Sequence, residues 1–309
     1  MMNLLENTRR YLKIVNKLSP IHTNTPVEVR RSRAKTKKTR LWKKVSLEKI
    51  EDLQIVVRDG EHIPLRIYSP VGNGPFPIII YYHGGGWVIN DIETCDATCQ
   101  QLSADTKSIV VSVGYRLAPE NPFPIPVNDA YDAFLWTAGN SSALNGIANE
   151  INVMGDSAGA NLATVVTIIN KELEGPVAIK SQVLLYPVTD LSFSTDSYHL
   201  YAEGYGLQKK DMEWFAKYYL QQQEDKTHPY VAPLKSDNLK DLPPAFIIVA
   251  ENDVLRDEGI AYAQKLKDFD NRAHLHIAKG LVHSYFTKND YFSKEIEETM
   301  EKIKGFLGR

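Results

Sequence analysis

The 309-residue sequence predicts an α/β fold: a doubly wound, mostly parallel sheet of about eight strands with helices on both faces. Three observations carry this. Short runs of apolar and β-branched residues alternate with segments of helical period, the pattern of strands buried on both faces. An Asp59-Gly60 turn between residues 54–58 and 62–68 marks an antiparallel hairpin at the start. Glycine clusters follow two of the most apolar strands, where a parallel sheet gathers functional loops.

Composition agrees with a globular chain. Lys and Arg total 36 against 38 Asp and Glu, with 43% hydrophobic and 24% charged residues, which argues against disordered, collagen-like and membrane classes. The apolar run at 76–82 is too short to span a bilayer, and Glu6, Arg9 and Arg10 interrupt any signal-peptide stretch, so the expectation is a soluble, cytoplasmic protein. Charge is uneven: residues 1–50 hold 14 Lys and Arg against 3 Asp and Glu, leaving 22 against 35 in the rest.

Residues 1–50 read as an appendage. An amphipathic helix runs through Leu4, Leu5, Tyr11, Leu12, Val15 and Leu18, followed by a basic stretch from Arg30 to Lys44. Trp42 is the single aromatic among those charges, too few for a base-stacking surface, so a nucleic-acid partner is not expected; a solvated or body-docked basic face is. An arm that docks on an anionic membrane or another protein is the competing use. Beyond the hairpin, strands are predicted near 77–82, 108–114, 151–154, 181–186, 245–250 and 273–278. Helices are predicted near 94–106, 128–140, 158–172, 257–269 and 290–306, the last with Phe292, Ile296, Met300, Ile303 and Leu307 on one stripe. Cys95 and Cys99 share a helix face as free packing thiols. Between Tyr186 and Leu242 the alternation breaks into an aromatic-rich insert, about 188–225, whose rings at helical spacing are expected to form its own core.

The chemistry-bearing motifs sit at strand ends. Gly155-Asp156-Ser157-Ala158-Gly159 follows the strand at 151–154 and opens a helical run, the setting of a nucleophile elbow, with the Ser157 hydroxyl pushed outward at a helix N-terminus. His83-Gly84-Gly85-Gly86-Trp87 follows the strand at 77–82. Backbone N–H groups approach a developing oxyanion only where no side chains intervene, so Gly85, Gly86 and Ala158 are the expected donors. A serine nucleophile needs a base and an acid, found in the chain order Ser, Asp or Glu, His. His283, just past the strand at 273–278, is the best-placed base, whereas His274 and His276 alternate within that strand. Asp253 is the expected acid, with Glu251 its nearest rival; Asp257 and Glu258 are expected to cap the next helix. No HExxH or paired-Cys spacing supports a zinc site, so no metal or cofactor is expected.

With Tyr115-Arg116-Leu117-Ala118-Pro119-Glu120, the segment 123–129 and the segment 253–259, these motifs span about residues 78–286. The sequence resembles the hormone-sensitive-lipase-like branch of the α/β hydrolases, the microbial carboxylesterases. The resemblance implies Ser157, His283 and Asp253 as triad; Gly85, Gly86 and Ala158 as oxyanion hole; His83 and Asp156 as structural supports; and a catalytic domain over 51–309. It also implies a small helical cap built from residues 1–50 and the insert, and allows a homodimer through the last strand and helix. Trp87, directly after the glycines, is the expected substrate-binding residue. The activity implied is hydrolysis of short- to medium-chain carboxylic esters through an acyl-enzyme. The rivals are an amidase or formamidase on the same triad and a non-catalytic receptor. The latter is the state of the plant gibberellin receptors, which resemble this family without the triad histidine.

Overall fold

A computed structural model describes residues 4–35, 41 and 43–309. Lys37, Lys38 and Arg40 of the basic stretch therefore lie outside the described residues. One eight-stranded sheet organises the chain: β1 (Leu47–Val56), β2 (His62–Pro70), β3 (Phe76–Tyr82), β4 (Ile109–Val113), β5 (Gly146–Asp156), β6 (Ser181–Leu185), β7 (Ala245–Asn252) and β8 (Ala273–Val282). The spatial order is β1-β2-β4-β3-β5-β6-β7-β8. Only the β1–β2 and β2–β4 pairings are antiparallel; from β4 to β8 every neighbour is parallel.

The hairpin forms where expected, with Gly60 at φ +87° and the Val57 amide on the Glu61 carbonyl at 2.9 Å. Its first strand begins at Leu47, earlier than the sequence pattern shows and ahead of residue 51. Residues 47–53 lie on an edge strand and mostly face solvent, so no apolar run announces them.

Helices α3 (Ile92–Thr106), α4 (Ile125–Gly139), α5 (Ala158–Glu172), α8 (Arg256–Asp268) and α9 (Asn289–Leu307) match the predicted segments to within a few residues. The strand side chains alternate between two cores. Ile78, Ile80, Val111, Val113, Ile151 and Val153 pack with apolar residues of α4, α5 and α8. On the opposite face, Ile79, Tyr81, Val110 and Met154 meet Cys95, Cys99 and Leu102 of α3 and the whole α9 stripe. Both cysteines are buried and free.

Above the carboxyl ends of the strands lie α1 (Glu6–Val15), α2 (Pro26–Ala34), α6 (Asp196–Leu200) and α7 (Lys209–Tyr219). The N-terminal segment and the insert hold each other there. His22 Nδ1 lies 2.7 Å from the Asp211 carboxylate, and the Trp214 indole donates to the Asn24 carbonyl at 3.0 Å. Helix α1 is tied to the body by the Leu5 amide and the Thr8 hydroxyl, which both donate to the Gly280 carbonyl, and by Tyr11 set edge-on to Tyr291 and Phe292. Arg30, at the head of the basic stretch, docks on the body through the carbonyls of Val88 and Ala118 and the carboxylate of Glu120.

Candidate active site

Four strand ends converge. The turn after β5 forces Ser157 to φ 55°, ψ −120°, a conformation strained for a residue with a side chain. The flanking glycines make the turn passable: a β-carbon at Gly159 would strike the Tyr82 and His83 carbonyls, and one at Gly155 would strike the Gly159 backbone. Ser157 then heads α5 as its N-terminal flanking residue, and its hydroxyl does not cap the helix.

The Ser157 Oγ lies 3.0 Å from His283 Nε2, and His283 Nδ1 lies 2.7 Å from Asp253 Oδ2. An aspartate beside Nδ1 accepts a hydrogen bond from Nδ1–H, which leaves Nε2 as the acceptor for the serine hydroxyl. Asp253, just past β7, is further held by the Leu255 amide on Oδ1 at 3.1 Å. Tyr186 sets its ring edge-on to the His283 ring at 4.8 Å. Glu251, the rival acid, is turned away: it accepts from Lys279 and from the Gly280 amide at 2.7 Å.

The glycine loop after β3 faces this turn. No protein acceptor takes the amides of Gly85, Gly86 or Ala158 among the described residues. The loop is anchored from below, where Asp156 Oδ1 accepts both the Gly84 amide at 2.9 Å and the Tyr81 hydroxyl at 2.8 Å. His83 stacks on Tyr115 at 4.3 Å, its Nδ1 lies 2.8 Å from the Gly84 carbonyl, and the Tyr115 hydroxyl donates to the His83 carbonyl. Burial pushes the Asp156 carboxyl above the usual carboxylate range and the His83 imidazole below the usual histidine range. Neither touches the Ser157 hydroxyl.

Trp87, directly after the glycines, is 0% exposed and stacks flat on Tyr219 of α7 at 4.1 Å, so one ring face is closed by the insert. Its neighbour Gly86, at φ +58°, is covered by the Phe215 ring of the same helix. Asp257 and Glu258 do not cap α8, which has no side-chain cap. Asp257 accepts the Ser197 amide at 2.7 Å. Glu258 is fully buried and accepts the amides of Thr189 at 2.8 Å and Asp190 at 3.2 Å, holding the chain after β6 beside the Asp253 loop. Acidic residues in a first turn look alike in sequence whether they cap their own helix or reach across to another loop.

Similarity to known proteins follows the same residues. The model of the alpha/beta hydrolase fold family matches residues 79–287. The chain is 40% identical over 241 residues to the carboxylic ester hydrolase LipN of Mycobacterium tuberculosis, covering 76% of this chain and 64% of that protein. It is 33% identical over 296 residues to the ethyl acetate hydrolase of Pseudomonas putida, covering 92% of each. A fungal esterase structure from Rhizomucor miehei superposes with a TM-score of 0.93 at 34% identity, over 100% of this chain and 97% of that one. Strand order, elbow, glycine loop and these likenesses agree, and the chain belongs to the alpha/beta hydrolase fold family, in its hormone-sensitive-lipase-like branch.

Proposed function

We propose that this chain is a serine carboxylesterase that hydrolyses short- to medium-chain esters through an acyl-enzyme. The observation that carries the reading is His283 bridging Ser157 at 3.0 Å and Asp253 at 2.7 Å. Ser157 attacks the ester carbonyl as His283 Nε2 takes its proton. The negative charge moves to the carbonyl oxygen, where the amides of Gly85, Gly86 and Ala158 receive it. The imidazolium, steadied by Asp253, then protonates the leaving alcohol as the C–O bond breaks. Water, deprotonated by the same imidazole, attacks the acyl-enzyme and releases the acid and the free serine.

Phe215 over Gly86 and the Trp87–Tyr219 stack crowd the space beside the oxyanion loop, which supports short acyl chains over long ones. Trp87 enters the reading as the substrate-binding residue beside the glycine loop, with one ring face against Tyr219. The cap comprises residues 1–50 and the insert near 188–225, on a catalytic domain over 51–309. We further infer a small ester as the sole partner class, with no nucleic acid, a cytoplasmic location, and a homodimer through β8 and α9 that light scattering would detect. No helix among the described residues is long and apolar enough to cross a membrane.

The test is hydrolysis of p-nitrophenyl esters from acetate to palmitate beside folded Ser157→Ala. Turnover peaking at short chains and lowered roughly 10⁶-fold in the variant supports the reading. Serine-independent turnover, or turnover of amides alone, overturns it.

A further inference from the structure

A second concave site lies at the end of the sheet opposite Ser157. It is a cavity of about 480 Å³ walled by the starts of β6, β7 and β8 and by the last turns of α9. Asn152, on its β5 wall, stands four residues before Asp156, about 13 Å back along the strand. Asn152 pairs in register with Ser181, and Phe246 with His274. By the alternation of strand side chains all four project on the side of the sheet that α9 covers, as Met154 and Val183 do. Helix α9 closes the cavity with Lys302 and, one turn on, Phe306. The Phe306 ring lies 5.3 Å from that of Phe246 and 6.0 Å from the His274 imidazole.

The lining carries Lys180, Arg272, His274 and Lys302 and no acidic residue. Lys180 is paired with Glu150, which also holds Arg309 at 2.9 Å. Arg272, His274 and Lys302 have no carboxylate partner among the described residues, and all three are exposed to solvent. The α9 acids on either side of Lys302 face other cations, Glu298 towards Lys294 at 4.0 Å and Glu301 towards Lys304 at 2.9 Å. Such a balance favours a doubly charged anion. A phosphate monoester carries about −1.5 to −2 charges at pH 7 and offers three acceptor oxygens, which an Arg fork and a Lys ammonium can share.

Gly305 bears on the same space. It sits in the last turns of α9, where glycine weakens a helix, yet a β-carbon there would meet nothing within 4 Å. Packing therefore does not demand glycine at this position, and a long side chain would narrow the cavity that Gly305 lines.

We propose that this cavity binds an aromatic phosphate monoester, its phosphate held by Arg272 and Lys302 and its ring laid against Phe246 and Phe306. The site shares no residue with the acyl-transfer machinery and stands independently of the esterase reading.

The experiment is isothermal titration with adenosine 5′-monophosphate and with 1-naphthyl phosphate, beside adenosine and inorganic phosphate. It uses the parent, Arg272→Gln, Lys302→Gln and Gly305→Leu, with unchanged circular dichroism as the check on folding. The expected result is saturable binding of at least one aryl phosphate, about 10-fold or more tighter than adenosine or phosphate alone. That affinity should fall about 10-fold in each variant and weaken with salt. Preference for the adenosine phosphate assigns a nucleotide; preference for the naphthyl phosphate assigns another aryl phosphate. The proposal is overturned if neither aryl phosphate binds the parent, if inorganic phosphate binds as tightly, or if all three variants keep the parent affinity. Absent binding together with a Gly305→Leu variant of lower mass by light scattering would give the cavity to a second copy of the chain, which also overturns it.

Discussion

The Asp156 carboxylate accepts the Gly84 amide at 2.9 Å, so the turn that carries Ser157 and the glycine loop that presents the proposed oxyanion amides are joined by one buried hydrogen bond. The same oxygen takes the Tyr81 hydroxyl, which fixes the carboxylate against β3. Asp156→Ala leaves both donors buried without an acceptor, at about 1–3 kcal/mol each. The expected outcome is a lowered melting temperature and a kcat reduced more than KM is raised. Asp156→Asn keeps an accepting oxygen and should retain most of both; equal damage in the two variants would mean that charge, not acceptance, matters.

Asp253→Asn should lower kcat by about 10⁴, because the amide no longer enforces the histidine tautomer that leaves Nε2 free to accept from Ser157. Glu251→Gln, whose carboxylate faces Lys279 and Gly280, should change kcat by less than about 3-fold. Steady-state kinetics on a short ester decides between the two acids.

Gly86 tolerates no β-carbon. Its φ of +58° and the overlying Phe215 ring both oppose one, and Gly86→Ala should reduce kcat/KM at least about 10-fold by displacing an oxyanion amide. Adding Phe215→Ala should restore part of that loss, since it removes the collision and leaves the backbone strain. A double-mutant cycle with no coupling would show that α7 does not press on the loop.

Glu258 should shape stability against pH. Burial raises its carboxyl well above the usual range, beyond what the Thr189 and Asp190 amides offset. A carboxyl whose folded pKa is raised contributes stability that is whole below the unfolded pKa, about 4.3, and is lost as pH climbs toward the folded value. Melting temperatures measured from pH 4 to pH 8 should therefore decline less in Glu258→Gln than in the parent. Parallel profiles would count against a neutral Glu258.

Much of this was legible from local pattern. Strands β3, β4, β6 and β7 and the second half of β5 are buried on both faces and therefore show as apolar runs, and the α9 stripe from Phe292 to Leu307 repeats at helical spacing and packs as one face. The elbow and the glycine loop were legible for a different reason: close backbone approach admits almost no other residue at Gly155, Gly159 or Gly85. Edge positions 47–53 escaped because solvent imposes no such pattern on them.

Side-chain partners across the fold depend on which strand ends and helices become neighbours, and no periodicity encodes that. Asp253 in place of Glu251 meeting His283, Glu258 reaching Thr189 in place of a cap, and Trp87 closed by Tyr219 join residues from 30 to 132 positions apart. Chain order alone supplied the residue types and the strand ends that carry them. The folded sheet, by ordering β3, β5, β6, β7 and β8 side by side, selected which of those groups meet.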